Sequence, residues 1–270
     1  MMRHASLWAG GAILLAVAGM AALAGAIFPD DPFAMADAPL LWPGSAPGLP
    51  LGTDSLGRDI LAGLFHGARA SLLIGLASTV AAVFIGILVG ALGGFYRGLV
   101  DDALMRLTEL FQTIPPFMLA IVLLVVLGTR LTTIVTAIAL VSWPAVARLV
   151  RAEFLALRER EFVQSCRVIG MSDARIILQQ ILPNALAPVI VTATVLVATA
   201  ILMEAGLSFL GLSDPNVMTW GAMINMGKDQ MRQAWYIVVI PGCALLVTAL
   251  GLNLFGEGLN DALNPRLRRP

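Results

Sequence analysis

Side chains suited to catalysis or metal binding are sparse in this 270-residue sequence. His4 and His66 are far apart and have no cysteine or carboxylate cluster nearby, whereas a metal site needs several ligands at close spacing. Their setting is typical of solvated or interfacial histidines. No Ser-His-Asp arrangement and no pair of carboxylates is placed for nucleophilic or acid–base chemistry. We therefore expect no enzyme activity, cofactor or metal in this chain.

A single lysine, Lys228, limits what the chain can do with ATP. A P-loop requires the pattern Gly-x-x-x-x-Gly-Lys-Ser/Thr, in which the lysine contacts the phosphates. No such pattern surrounds Lys228. If ATP drives the work of this protein, a separate polypeptide must hydrolyse it.

The remaining polar candidates lie within or beside long apolar segments, where ionisable and polar groups are functional candidates by default. Glu109 and Gln112 lie beside the pair Pro115-Pro116, and Thr192 and Thr199 are seven residues apart on one helical face. Glu204 follows near the end of the same segment. These five residues are the candidates for a translocation path. The threonines also fit the plainer interpretation that their hydroxyls bond to helix carbonyls.

The elements that carry these residues are membrane spans. Hydrophobic residues make up 59% of the chain and charged residues 13%, against about 25% charged in soluble domains. A helix needs about 20 residues to cross the hydrocarbon core. Six uncharged runs meet or approach that length, with the fourth the shortest: Ala5–Pro29, Ala70–Tyr96, Leu110–Thr129, Leu131–Ala147, Ile176–Met203 and Gln233–Gly256. The runs lack the alternation of membrane strands, so we predict an all-α polytopic membrane protein with six transmembrane helices.

The runs divide the chain into segments. We predict a first transmembrane helix in 1–29, an external segment in 30–69, a core transmembrane domain in 70–256 and a cytoplasmic tail in 257–270. The first run could also be a signal peptide, since Arg3 and His4 precede it, but it is longer than the usual apolar core of about 7–15 residues. With the N-terminus inside, twelve of the 17 Lys and Arg residues lie on the cytoplasmic side. The positive-inside rule then places both termini in the cytoplasm.

Two outer segments have sequence features of their own. Thr53-Asp54 predicts an Asx or ST turn in the external segment, which is either a solvated loop or a folded cap at the external mouth. The segment 205–232 is apolar enough that we expect it to fold back onto the bundle. Gly86 and Gly90 predict close helix packing.

A polar stretch, "EFVQSCRVIGMSDARIILQQILPN" (Glu161–Asn184), interrupts the apolar chain between the fourth and fifth runs. Gly170 can end a helix in a left-handed conformation, Ser172 can cap a second short helix, and Pro183 marks a turn into the fifth span. The pattern predicts a helical hairpin on the cytoplasmic surface, within a loop spanning 153–184. One helical face is predicted to be apolar, and it consists of Leu155, Phe162, Cys166 and Ile169. An amphipathic hairpin that merely covers the bundle is the alternative.

The hairpin resembles the EAA loop of ABC-importer permeases, whose pattern is Glu-Ala-Ala-x-x-x-Gly, nine residues, then Ile-x-Leu-Pro. The matching positions are Gln164-Ser165-Cys166, Gly170 and Leu182-Pro183, with Gln-Ser-Cys in place of Glu-Ala-Ala and Gln180 in place of Ile. Five further stretches resemble the second permease of dipeptide, oligopeptide and nickel importers. They are "LGTDSLGRDIL", "GARASL", "EAGLSFLGL", "WGAMI" and "NLFGEGLNDALNPRLR", which begin at residues 51, 67, 204, 220 and 253.

This resemblance implies a type I ABC importer permease fold in the plasma (inner) membrane. It implies a second permease subunit, two ATP-binding cassette subunits beneath the pair, an external substrate-binding protein and no nucleic acid. Gln164, Ser165, Cys166, Gly170, Leu182 and Pro183 would then couple the chain to the ATPase. The substrate would be a dipeptide, an oligopeptide, a nickel chelate or a glutathione-like solute. The alternative is an ion-gradient-driven secondary transporter, which should show inverted repeats and carboxylates near the midplane; the sequence shows no repeat.

Overall fold

Five long apolar helices form the framework of the chain in this computed structural model, which describes residues 5–263. They are α1 (Ala5–Ile27), α2 (Ile60–Tyr96), α5 (Leu131–Leu157), α8 (Leu182–Phe209) and α10 (Tyr236–Leu263). Five shorter α-helices lie between them: α3 (Gly98–Thr113), α4 (Pro116–Leu127), α6 (Glu161–Val168), α7 (Asp173–Arg175) and α9 (Trp220–Gly227). A π-helical segment (Ile176–Ile181) follows α7, and a 3-10 turn (Lys228–Gln230) follows α9. Each of the five long helices is long and apolar enough to cross a membrane. The predicted all-α membrane fold is confirmed.

The predicted third span is not one straight helix. The run Leu110–Thr129 breaks at Pro115-Pro116, and α3 and α4 meet there at 83°. Ile114 is extended, as the residue before a proline usually is, and neither proline has an N–H to continue a helical ladder. At 12 residues, α4 is about 18 Å long. Residues 5–263 therefore contain five candidate membrane spans, or six if the bent pair counts as one.

Two predicted boundaries also shift. Helix α2 begins at Ile60, where Asp59 caps it by accepting a hydrogen bond from Leu61 N at 2.8 Å, so the last ten residues of the segment 30–69 are already helical. Helix α10 continues to Leu263, beyond the expected start of a tail at 257. The predicted positions of the two termini fall on residues 1–4 and 264–270, outside the described chain.

Glycines allow α2 and α5 to lie against each other. A Cβ on Gly86 would lie 2.5 Å from Val146 Cβ, and one on Gly90 would lie 2.8 Å from Val150 Cβ. A Cβ on Gly94 would lie 2.6 Å from Phe154 Cβ. The close packing predicted at Gly86 and Gly90 is therefore confirmed, and it sets the distance between the helices that carry the sites described below.

One end of the bundle, here called the cap end, carries residues 28–59 and α9. Asp54 accepts hydrogen bonds from Leu56 N at 2.8 Å and Arg58 N at 2.9 Å, which confirms the predicted Asx turn. The segment is folded onto the bundle, because Thr53 is fully buried and Tyr236 Oη donates to Leu41 O at 2.8 Å. Helix α9 also packs inward, as predicted, with Trp220 fully buried.

The opposite end, the hairpin end, is reached by the far ends of α2 and α5. A cluster of buried apolar side chains lies there and joins the hairpin to the bundle. It includes Phe95, Phe154, Val163, Ile176 and Ile181.

Candidate functional site

Helix α6 ends at Val168, and Gly170 follows it in a backbone arrangement that satisfies the last carbonyls of the helix. Gly170 has φ +79°, Gly170 N donates to Arg167 O at 3.0 Å, and Met171 N donates to Cys166 O at 3.0 Å. This pair of bonds is a Schellman motif. The predicted left-handed turn at Gly170 is confirmed. A Cβ there would meet nothing within 4 Å, so the need for glycine comes from the backbone conformation and not from crowding.

Apolar contacts anchor the hairpin to the bundle. Val163 from α6 and Ile176 from the second arm are both fully buried against Phe154 of α5 and Phe95 of α2. Cys166 and Leu182 pack partly buried against the same cluster. A close-packed cluster resists deformation, so the hairpin and the ends of α2 and α5 should move as one body.

Arginines tie the turn before α6 to the end of α2. The Arg158 guanidinium donates to Phe95 O and lies over the Phe95 ring, and Arg167 lies 5.6 Å from the centroid of that ring. Arg97 forms an ion pair with Glu159 at 2.8 Å. Burial lowers the pKa of Arg158, as do the charges of Arg97 and Arg167, yet arginine stays protonated in proteins. This connection therefore persists at physiological pH.

The outward face of α6 is more apolar than the sequence predicted. Val168 is 87% exposed and Ile169 is 75% exposed, and Phe162 is also exposed. The apolar face predicted from Leu155, Phe162, Cys166 and Ile169 does not form as one face of one helix, and Phe162 and Ile169 are exposed while Cys166 is partly buried. The reason is that the chain turns at 158–160, so Leu155 belongs to α5 and α6 has its own register, which buries Val163. We call Phe162, Val168 and Ile169 the apolar tip.

The second arm of the hairpin differs from the prediction at two residues. Ser172 occupies the N-cap position of α7, but its side chain makes no capping hydrogen bond. Pro183 does not mark a turn, because α7, a π-helical segment Ile176–Ile181 and α8 form one continuous helix. Proline lacks the N–H that would bond to Gln179 O, and Asn184 Nδ2 donates to Gln180 O at 2.7 Å. The wider π-helical turn accommodates the proline without a break.

The six coupling candidates thus fall into two groups. Gln164 and Ser165 are exposed on α6 beside the apolar tip, and Gly170 forms the turn. Cys166 and Leu182 face the anchoring cluster, and Pro183 lies at the exposed start of α8. The exposed residues are available to a partner, whereas the partly buried ones hold the hairpin in place.

A polar cavity of about 470 Å³ lies between α3 and α5 near the hairpin end. Glu109 and Gln112 line it together with Arg148, whose Nη1 donates to Gln112 Oε1 at 2.9 Å. Arg151 lies on the same wall and forms a bidentate pair with Asp101, at 2.5 and 2.6 Å. The path candidates Glu109 and Gln112 are therefore close together, in a cavity lined by both acidic and basic side chains.

The three candidates on α8 have different surroundings. Thr199 is exposed and its hydroxyl donates to Val195 O at 3.0 Å, as the plainer interpretation of the threonines predicts, while Thr192 is partly exposed. Neither lines the α3–α5 cavity. Glu204 is 1% exposed and enclosed within the chain, where it accepts hydrogen bonds from Ser208 Oγ at 2.6 Å and Thr219 Oγ1 at 2.7 Å. It does not line the α3–α5 cavity either.

Sequence reasoning missed three features of these sites. The apolar tip depends on the register of a two-turn helix, which a pattern of eight residues does not fix. Arg148 and Arg151 were counted only for orientation, although they line the cavity. The pairing of Asp101 with Arg151 links residues 50 positions apart. The only signal in the sequence was that two residues of opposite charge both lie in segments predicted to be on the cytoplasmic side.

Comparisons with known proteins agree with this architecture. The family described as binding-protein-dependent transport system inner membrane component matches residues 82–269. A di/tripeptide transport system permease protein, DppC, of Pseudomonas aeruginosa is 43% identical over 81% of this chain and 72% of its own length. A putative peptide transport system permease protein of Brucella abortus is 41% identical over 99% of this chain and 90% of its own. An inward-facing structure of the MetNI methionine ABC transporter superposes with a TM-score of 0.62 at 18% identity, covering 75% of this chain and 96% of that one.

Proposed function

Because the chain belongs to the family of binding-protein-dependent transport system inner membrane components, we propose that it is a permease subunit of an ATP-driven importer. With a second permease it forms the membrane pathway for peptides or a related small solute. The observation that carries this proposal is the hairpin, which is firmly anchored in the bundle and presents an apolar tip outward. A passive surface hairpin has no need of exposed Val168 and Ile169.

The hairpin is the part of the chain suited to receive mechanical work. Shifting a two-state bundle from 1:99 to 99:1 takes about 5.5 kcal/mol of differential binding. The packed cluster around Phe95 and Phe154 holds the hairpin rigidly on the bundle, so a movement of the hairpin is transmitted to α2 and α5. The contacts of Arg158 and Arg97 hold the hairpin in one orientation relative to α2. Two ATP-binding cassette subunits supply that energy, one of them through a groove that receives the apolar tip.

Orientation follows from the same assignment. The hairpin end faces the cytoplasm of the inner membrane, and the cap end faces outward. The arginine distribution supports this orientation and supports a cytoplasmic location for both termini. The folded cap and α9 then form the surface available to an external substrate-binding protein.

The path for the solute runs past polar side chains of α3, α5 and α8 that are not enclosed within the chain. Glu109 and Gln112 with Arg148 provide charged and amide groups at the cytoplasmic end, and Thr192 and Thr199 lie on α8. A zwitterionic solute such as a peptide carries one positive and one negative terminus. Glu109 and Arg148 present one charge of each sign to it.

The test of the coupling assignment is to make the apolar tip charged. In the Val168→Asp/Ile169→Asp double variant, two carboxylates would have to enter an apolar groove, so the ATPase subunits should no longer co-purify with the permease. The second permease should still do so, because the anchoring cluster is unchanged. Gln164→Glu is the charge control: it adds one negative charge to α6 beside the tip but restores the residue usual in the EAA loop, so the ATPase subunits should still co-purify. Full assembly and full uptake by the double variant would refute the proposal.

The solute itself is tested by transport. Relatives of this chain include permeases named for di/tripeptide, glutathione and oligopeptide transport, so labelled dipeptide, oligopeptide and glutathione are the substrates to compare in a deletion strain. The purified chain alone should hydrolyse no ATP, because its one lysine is not in a P-loop. Vanadate-sensitive turnover by the isolated chain would contradict this.

A further inference from the structure

The outward face of α2 carries a shallow, open apolar groove, lined by residues of that helix alone, which begins below a charged residue. Arg69 lies at its top, and Leu73, Leu76, Val80 and Phe84 follow at helical spacing down one face. Val80 is 67% exposed and Phe84 is 64% exposed. Below Arg69, every residue that lines the groove is apolar.

A second cavity, of about 280 Å³, opens at the cap end and shares Arg69 and Leu73 with the groove. Its charged and titratable lining residues are Asp31, His66 and Arg69. His66 Nε2 lies 3.0 Å from Phe28 O, which holds the ring against the backbone. Among residues 5–263, neither Asp31 nor Arg69 takes part in an ion pair. Asp31 Oδ1 accepts a hydrogen bond from Phe33 N at 2.9 Å, so the cavity presents the other carboxylate oxygen of Asp31 and the Arg69 guanidinium above the apolar groove.

The depth of Arg69 in the membrane follows from the helix. Arg69 and Arg97 bound the uncharged part of α2 and are 28 residues apart, which corresponds to about 42 Å along a helix. A bilayer with its headgroups measures about 40–45 Å. Both arginines thus lie at headgroup level. The apolar groove from Leu72 to Phe84 is about 18 Å long, slightly more than half of a hydrocarbon core of about 30 Å.

We propose that the cavity and the groove together bind one phospholipid with an amine headgroup, of the phosphatidylethanolamine class, from the leaflet at the cap end. Arg69 donates hydrogen bonds to the phosphate, Asp31 accepts hydrogen bonds from the ammonium group, and an acyl chain lies along Leu73, Leu76, Val80 and Phe84. Charge complementarity selects this occupant. A phosphatidylglycerol headgroup has no cation for Asp31, and the quaternary ammonium of phosphatidylcholine has no N–H to donate to it.

The experiment uses the intact importer, purified with its second permease and ATPase subunits, stripped of bound lipid and mixed with equal amounts of phosphatidylethanolamine, phosphatidylglycerol and phosphatidylcholine. Native mass spectrometry then reports which lipid is retained and whether the assembly is complete. Phosphatidylethanolamine should dominate in the unaltered protein. Arg69→Gln should weaken its retention about tenfold, since charge-assisted hydrogen bonds to the phosphate are lost. Asp31→Asn should retain phosphatidylethanolamine and phosphatidylglycerol equally.

Two matched controls separate the site from general surface effects. Arg232→Gln removes an exposed charge at the same end of the bundle outside the cavity and should change nothing. Val80→Trp fills the groove and should reduce retention, whereas Leu88→Trp, further along the same exposed face of α2 and outside the groove, should not.

Three results would overturn the proposal. They are equal retention of the three lipids by the unaltered protein, an Arg69→Gln variant that behaves like Arg232→Gln, and efficient capture of the second permease by a photo-cross-linking residue at Val80. The last would identify the groove as a contact between protein subunits.

Discussion

At the scale of single residues, Gly170 is the position where backbone conformation and proposed function coincide. Its φ of +79° lies in the region that glycine adopts freely, and its surroundings are open. A β-branched residue there would cost about 1–3 kcal/mol of strain. Gly170→Val should therefore distort the turn and weaken ATPase association or uncouple hydrolysis from uptake, while the spans stay inserted. ATPase co-purification and substrate uptake in the same membranes measure both effects.

Gly170→Asn is the matched control for that variant. Asparagine adopts the left-handed conformation more readily than other side chains, so assembly and uptake should be close to those of the unaltered protein. Normal coupling in Gly170→Val would mean that the hairpin is a passive surface feature.

Glu204 connects two helices through its carboxylate. Its Oε1 accepts from Ser208 on α8 and from Thr219, and Thr219 Oγ1 in turn accepts from Ala222 N at 3.1 Å and caps α9. Glu204→Ala leaves two buried hydroxyls without an acceptor and should lower the free energy of unfolding by about 1–3 kcal/mol for each. Glu204→Gln keeps one carbonyl oxygen in place and should cost less. Thermal unfolding of the detergent-solubilised protein distinguishes the two, and equal stability of both variants would contradict this role.

At the scale of elements, the packing of α2 on α5 depends on residues without side chains. A Cβ at Gly86 already lies 2.5 Å from Val146 Cβ, so a larger side chain must push the helices apart. Gly86→Ile should destabilise the protein by about 1–3 kcal/mol or more, the range typical of overpacking. A lower midpoint of thermal unfolding is the expected measurement.

Gly242 of α10 provides the control, because a Cβ there meets nothing within 4 Å. Gly242→Ile adds the same side chain to a membrane helix without a clash, and its midpoint should stay near that of the unaltered protein. A similar drop in both variants would show that the close approach of α2 and α5 is not the cause.

The presence of the long helices could be predicted from the sequence, because long uncharged apolar runs are enough to indicate them. The long uncharged runs became α1, α2, α5, α8 and α10, and Gly170 ended α6 as expected because few residues other than glycine adopt φ near +79°. The direction of the chain after Pro115-Pro116 could not be predicted. Proline removes hydrogen bonds at a known place, but the 83° bend is set by how α3 and α4 pack on α5. At Pro183, by contrast, the helix continues without a break, because the preceding π-helical turn accommodates the loss of the hydrogen bond that proline cannot make.

The side-chain environment was predictable only where the helix register was fixed. The spacing of Phe162 and Ile169 from Leu155 predicts one shared helical face, but the turn at 158–160 interrupts the helix between them. Glu204 was placed near a span end, where it does lie, but its enclosure by Ser208 and Thr219 depends on α9 folding back over α8. Contacts between residues distant in sequence leave no local signal.

At the scale of the whole molecule, the orientation of the bundle can be tested with two introduced cysteines. The native Cys166 and Cys243 are both free, so they are first replaced by serine. Cysteines introduced at Asp37, in the cap, and at Ser172, in the hairpin, should then be labelled from opposite sides of the membrane in intact cells. An impermeant maleimide should reach residue 37 only. Labelling of both from outside would mean that the arginine distribution gives the wrong orientation.

The pairing of α1 with α10 has a consequence for how the protein is made. A Cβ on Gly10 would lie 2.5 Å from Phe255 N, one on Gly251 would lie 2.6 Å from Ile13 Cγ2, and one on Gly258 would lie 2.6 Å from Leu7 Cβ. Helix α1 therefore fits closely against α10, although many residues and all the other described helices lie between them in the sequence. During synthesis the surface of α1 around Gly10 faces lipid, or an insertion factor, until α10 has been made. A nascent chain that stalls before α10 is complete exposes that surface in full, and a membrane protease that recognises unpaired helices could thereby distinguish unfinished copies from finished ones.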